Sequence, residues 1–150
     1  MGLQQQVMDA MKIAMKAKDT QALEALRAVK SALLIAQTAT GSKEEISEDE
    51  ELKILQKQVK QRKDSAVIFT EQNRTDLAEP ELLQAAVIEQ FLPQQLSEGE
   101  VAKVVDAIIA ETGATTMKDM GKVMGMANGK LAGKADGKTI STIIKERLSK

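Results

Sequence analysis

The sequence contains no cysteine, histidine, tryptophan or tyrosine. Without cysteine there is no disulfide, no thiolate metal site and no thiol nucleophile. Without histidine there is no imidazole for a catalytic triad, a zinc site or acid–base chemistry near neutral pH. Phe69 and Phe91 are the only aromatic residues, which removes the stacking platforms of single-strand and RRM-type RNA binders. No apolar run approaches the ~20 residues of a membrane span. The opening MGLQQQVMDAMK has no basic stretch followed by a continuous apolar one, and Gln6 stands where a myristoylation signal wants Ser or Thr. The expectation is a cytoplasmic protein with no cofactor and no membrane partner.

What is present suits a packed globular chain. Its 150 residues are 43% hydrophobic and 29% charged, enough for one domain or two small ones with a real core. Lys plus Arg number 21 against 22 acidic residues, a net charge of −1 that excludes a uniformly basic nucleic-acid binder but not a local basic patch. The charge is uneven. Residues 1–40 carry 5 basic and 3 acidic side chains (+2), residues 41–100 carry 7 and 14 (−7), and residues 101–150 carry 9 and 5 (+4).

Ala, Leu, Gln, Glu, Lys and Met dominate, and no stretch alternates with period two, so the chain reads as all-α and multihelical. Leu3, Val7, Met11 and Met15 recur at helical spacing. Asp19 is placed to cap a second helix bearing Leu23, Leu26, Val29, Leu33 and Leu34, which Gly41 and Ser42 end. Ser47 and Glu50 form a capping box for a long helix. Its positions Leu52, Leu55, Val59, Arg62, Ala66 and Phe69 step 3, 4, 3, 4, 3, a coiled-coil-like seam with a charge in the middle. Asp76 is a candidate cap for the next helix, with Leu83, Val87 and Phe91 on one face. Pro80 falls in that helix's first turn or marks its start. Leu92-Pro93 stops it. Ser97 with Glu100 opens a helix carrying Val101, Val104, Val105, Ile108 and Ile109, ended by Gly113. Thr116 with Asp119 opens a short helix, and Asp136 caps a last one with Ile140, Ile143, Ile144 and Leu148. The expected organisation is an N-terminal helical domain over 1–95, about four helices with one long, and a small three-helix domain over 96–150.

Gly121, Gly125, Gly129, Gly133 and Gly137 are spaced by four, and Lys122, Lys130, Lys134 and Lys138 follow four of them. Each internal glycine costs a helix ~1 kcal/mol relative to alanine, so short helices with tight turns are expected here rather than one continuous helix. Close helix packing with C-caps is the favoured explanation of the spacing. The functional one is a backbone that phosphate can approach with lysine beside it. Ala132 to Thr139 also fits a loose Walker A pattern, read as accidental because no strand precedes it. Met8, Met11 and Met15, like Met117, Met120 and Met124, follow i, i+3, i+7. Adaptable core filling is preferred to a soft-metal site. The acidic run Glu44 to Glu51 reads as a solvated helix start, not a calcium loop. Arg62 is open between a snorkelling side chain and a specific ion pair that fixes register or docks the C-terminal part. No serine lies in a nucleophile elbow, and no catalytic site is legible.

Two segments carry a family signature. The first is Leu52-Lys-Ile-Leu-Gln-Lys-Gln-Val-Lys-Gln-Arg-Lys-Asp-Ser65, with the Asn73-Arg-Thr-Asp-Leu-Ala78 turn and Glu89-Gln-Phe-Leu-Pro-Gln-Gln-Leu96. The second is Lys118-Asp-Met-Gly-Lys-Val-Met-Gly125 with Gly133-Lys-Ala-Asp-Gly137. Together they resemble the YqeY family, the GatB/YqeY-domain proteins, essentially end to end. The resemblance implies a C-terminal domain similar to the tail of GatB, a subunit of the glutamine-dependent tRNA amidotransferase, where the tail helps hold tRNA. It also implies an inherited label of carbon–nitrogen ligase with glutamine as amido donor, although that chemistry lies in domains this chain lacks. Carried over, Lys118, Lys122, Lys130, Lys134 and Lys138 would meet tRNA phosphates. Gly121, Gly125 and Gly133 would allow close approach, and Asp119, Asp136 and Gly137 complete the motif. The family commonly has Arg where this chain has Lys134, which loses a bidentate phosphate fork. The expected role is an accessory tRNA-associated protein. The alternative is an adaptor that docks an aminoacyl-tRNA synthetase or amidotransferase subunit through the −7 segment and Arg62.

Overall fold

A computed structural model describes residues 2–39 and 46–149. Gly41, Ser42, Glu44 and Glu45, given roles above, lie outside the described residues. Those described form seven α-helices and one 3₁₀ turn, with no strand among them. The helices are α1 (Leu3–Ala17), α2 (Thr20–Ala39), α3 (Glu48–Glu71), α4 (Thr75–Glu89), α5 (Glu98–Thr112), α6 (Met120–Lys130) and α7 (Gly137–Leu148), with the 3₁₀ turn at Met117–Asp119. The chain divides into two compact units, Met1–Leu92 and Pro93–Lys150.

The N-terminal unit is two helical hairpins, α1–α2 and α3–α4, brought together chiefly by α2 against α4. Both corners close in the same way. Lys18 adopts a left-handed φ of 56°, its N–H bonds to Met15 O at 3.2 Å, and the Asp19 N–H returns to Ala14 O at 2.9 Å. Asn73 does the same at φ 59°, with Asn73 N–H to Thr70 O at 3.0 Å and Arg74 N–H to Phe69 O at 2.7 Å. These are Schellman closures, which satisfy carbonyls left open at a helix end. Asp19 then caps α2, accepting from the Ala22 N–H at 3.1 Å, as its position led us to expect. Ser47 likewise accepts from the Glu50 N–H at 3.2 Å to open α3.

The core of this unit is built from Val7 and Ala14 of α1, Ala25, Leu26, Val29 and Leu33 of α2, Leu55 and Val59 of α3, and Ala85 and Ile88 of α4. Burying one such Leu or Ile contributes about 2 kcal/mol. Four expectations need correcting. Met15 is 52% and Leu34 45% exposed, and Ala14 and Ala25 take the buried places. Leu83 is 57% exposed, while Ala78, Gln84, Ala85 and Ile88 form the buried face of α4. Asp76 is not the cap of α4. The cap position is Arg74, and Asp76 sits in the first turn bonded to the Arg74 guanidinium at 3.1 and 3.0 Å. With the start at Thr75, Pro80 neither begins the helix nor falls in its first turn. It forgoes one backbone bond within the second turn.

The C-terminal unit packs α5, α6 and α7 around Val101, Val105 and Ile108, Val123 and Ala127, and Ile140, Ile143, Ile144 and Leu148. Ser97 and Glu100 make the full reciprocal capping box. Gly113 closes α5 at φ 69°. Asp136 Oδ1 accepts from the Thr139 N–H at 2.7 Å and opens α7. The glycine-spaced segment departs from expectation, because Gly121, Gly125 and Gly129 all lie within α6, one helix of eleven residues. Val123 and Ala127, fully buried on its inner side, hold it to α5 and α7 and offset the glycine cost. The chain turns only at Gly133, whose φ is 75°.

Candidate nucleic-acid interface

The inner side of α6 fixes its outer one. With ~100° between successive residues, burying Val123 and Ala127 turns Gly121, Gly125 and Gly129 to the opposite side, where all three are exposed. A Cβ at any of these three, or at Gly137, would meet nothing within 4 Å. Close helix packing, the favoured explanation of the spacing, therefore does not account for them. The outer side of α6 is bare backbone open to solvent.

The lysines around it differ in their surroundings. Lys118, in the 3₁₀ turn, and Lys122, one turn on, are exposed and make no ion pair among the described residues. Lys130, at the far end of a helix ~16 Å long, is drawn to Glu111 of α5 at 3.5 Å. Lys134 is exposed on the turn between α6 and α7. That turn is tied down by backbone contacts. The Lys134 carbonyl accepts from the Leu96 N–H at 2.9 Å, and the Gly133 carbonyl accepts from the Gln95 side chain at 2.6 Å. Lys138, in the first turn of α7, lines an open groove of about 250 Å³ with Glu98, Thr142 and Glu146, so two carboxylates share its space. The five lysines thus fall into an unopposed pair before and within α6, a third on the pinned turn, and two with acidic company.

The two aspartates of the motif have local structural roles. Asp119 accepts from the Thr115 and Thr116 N–H groups at 3.1 and 3.4 Å and closes the 3₁₀ turn, and Asp136 is the cap of α7. The Walker-like stretch is a turn followed by this cap, and no strand precedes it among the described residues. A protein-family model described as Yqey-like protein matches residues 4–148. The chain belongs to the YqeY-like protein family. A comparison of this YqeY-like chain with curated proteins finds no match.

Arg62 belongs to the N-terminal unit of the YqeY-like chain. Its Nε–H donates to Gln84 Oε1 at 3.1 Å, and its Nη1 donates to the backbone and side-chain oxygens of Gln58 at 3.1 and 2.7 Å. Gln84 in turn donates to Gln21 Oε1 at 2.8 Å. The partners are amides rather than carboxylates. Gln21 and Gln84, which complete this chain, carried no sequence signal beyond being polar at helical spacing. Among the described residues no helix is long and apolar enough to cross a membrane, and no three carboxylates gather as a metal site.

Proposed function

We propose that the C-terminal unit docks on the phosphate backbone of a tRNA, and that this YqeY-like protein is an accessory factor of tRNA-dependent amidotransferase or aminoacyl-tRNA synthetase systems. It has no catalytic step of its own in this reading. The ligase label belongs to the complexes in which similar tails occur. One observation carries the proposal. Gly121, Gly125 and Gly129 present bare helix to open space with no packing need, and the unpaired Lys118 and Lys122 stand alongside. Such a surface lets a sugar–phosphate strand approach the backbone closely while ammonium groups meet its charge.

Few phosphates would be engaged, so affinity should be weak and steeply salt-dependent. The test is a titration of labelled bulk tRNA at increasing salt. The intact chain is compared with the variant Lys118→Gln/Lys122→Gln/Lys130→Gln/Lys134→Gln/Lys138→Gln. Binding that weakens with salt and disappears in the variant supports the reading. Binding unchanged at ~0.5 M salt overturns the electrostatic picture, and no binding at low salt overturns the tRNA assignment.

A further inference from the structure

Only Met11 of the methionine stripe of α1 packs against the core, and the other two face outward. Met11 is half-buried, but Met8 is 42% and Met15 52% exposed. Met8 edges a furrow between α1 and α2, floored by Val7 and Leu33 and bounded by Gln4, Lys30 and Leu34, with a volume of about 40 Å³. The hairpin is antiparallel, since α1 and α2 are joined at Lys18 and Asp19 and Gln4 bonds back to Gln37 at 3.2 Å. Two turns along α1 from Met8 lead to Met15, and two turns back along α2 from Leu34 lead in the same direction to Arg27. The two rims of the furrow therefore run on to Met15 on α1 and Arg27 on α2, with cations beside the apolar residues. Lys12 lies one turn from Met8, and Lys30 one turn from Leu34. Among the described residues neither these two nor Arg27 makes an ion pair. The hairpin carries three carboxylates, Asp9, Asp19 and Glu24, against five cations, Lys12, Lys16, Lys18, Arg27 and Lys30, so its net charge is +2.

We propose that the furrow between α1 and α2 docks an acidic amphipathic helix of a partner protein. Its apolar anchors, at i and i+7, rest on Met8, Met15 and Leu34, and its carboxylates meet Lys12 and Lys30. Charge complementarity selects this occupant, because an apolar furrow with cations beside it rewards a helix with acids beside its apolar face and penalises a basic one. Methionine suits such a surface because its unbranched thioether adapts to the incoming side chain. The fifteen residues of α1 run for ~22 Å, the length of a four-turn partner helix. The furrow beside Met8 and Leu34 is concave, whereas a membrane-seeking surface presents apolar residues on a convex ridge.

The experiment is an NMR titration of the ¹⁵N-labelled full chain with two synthetic fifteen-residue helical peptides. One has Leu at positions 1, 4, 8 and 11 and is otherwise rich in Glu, and the other is the same with Lys for Glu. The acidic peptide is expected to shift Met8, Met15, Lys30 and Leu34 with a Kd below about 1 mM. Affinity should fall about tenfold in Met8→Gln/Leu34→Gln and in Lys12→Glu/Lys30→Glu, a loss worth ~1.4 kcal/mol. The second pair is on the surface and tests the idea even where the first disturbs the fold. Three results overturn it: no shift at these residues with ~1 mM acidic peptide, equal binding of the basic peptide, or capture by phosphatidylglycerol vesicles in place of peptide. Sedimentation that shows a dimer broken by Met8→Gln/Leu34→Gln would overturn it too, by giving the furrow to a second copy of the chain.

Discussion

The Arg62 guanidinium on α3 donates to the Gln84 side chain on α4 across 3.1 Å, and Gln84, only 8% exposed, passes the contact on to Gln21 of α2. One amide thus ties three helices together, because its carbonyl faces one neighbour and its NH₂ the other. A seam position that a coiled coil would fill with leucine is here given to hydrogen bonds that fix which residues face each other.

Removing that amide should be costly. Gln84→Ala leaves the Arg62 Nε–H and the Gln21 oxygen without their partner, a loss of about 1–3 kcal/mol. The double variant Arg62→Met/Gln84→Leu, which removes both polar groups, should recover much of it. Urea unfolding of both checks this. Equal losses in the two variants would mean that packing volume, not hydrogen bonding, governs the site.

At the first corner, Lys18 holds φ 56° with a side chain that disfavours it. Lys18→Gly should therefore stabilise the protein, by up to ~1 kcal/mol after glycine's added unfolded-state freedom is subtracted. Asn73, which tolerates this conformation better, should gain less from the same change. Thermal unfolding of Lys18→Gly and Asn73→Gly gives the order.

The glycines of α6 separate stability from binding. An alanine at Gly121, Gly125 or Gly129 meets nothing, so each change should stabilise by ~1 kcal/mol through helix propensity alone. If a phosphate strand lies against this side, the same triple variant should bind tRNA more weakly despite being more stable. A variant that is more stable and binds unchanged would remove the glycines from the interface.

Asp76 supplies a pH signature. Its hydrogen bonds from Arg74, with the guanidinium charge beside it, hold its carboxyl below the usual aspartate range. A depressed native pKa means that the pair's support is fully present above the ordinary aspartate range and is lost as pH falls through the lowered value. The pair is exposed to solvent, so the effect on stability is small. A carbon-detected NMR titration should place the Asp76 midpoint below that of a model aspartate, and Arg74→Gln should move it upward.

Apart from α4, where Arg74 holds the Asp76 carboxylate, helix ends with a side-chain signature could be read from the sequence. Asp19, Ser97 with Glu100, and Asp136 each cap where their position says, because a short side-chain oxygen ahead of an apolar-periodic run has few other uses. The corners were harder, since Lys18 and Asn73 take a left-handed conformation that glycine usually announces. The buried face of α4 was misread because alanines let α4 approach its neighbours closely, while Leu82 and Leu83, larger and more apolar, stay outside. The glycines of α6 were read as breaks because propensity is local, whereas the packing of Val123 and Ala127 that overrides it is tertiary. Of the candidate site, the place of Lys138 in the first turn of α7 was legible from the Asp136 cap. The pairing of Lys130 with Glu111 was not, because nothing in the spacing sets α5 beside the end of α6.

The two Schellman corners also bear on how the N-terminal unit assembles. Each joins its helices over only a few residues, so α1 can find α2, and α3 can find α4, with little loop-closure entropy and on the microsecond scale of local helical contacts. What remains is the meeting of two preformed hairpins. That encounter is the step at which residues far apart in the chain must come into register, and Gln84 reaching Gln21, sixty-three positions away, belongs to it. Folding rate should then respond to substitutions at the corners, which are already closed when the hairpins meet, and unfolding rate to those at α2–α4 contacts completed only after the encounter.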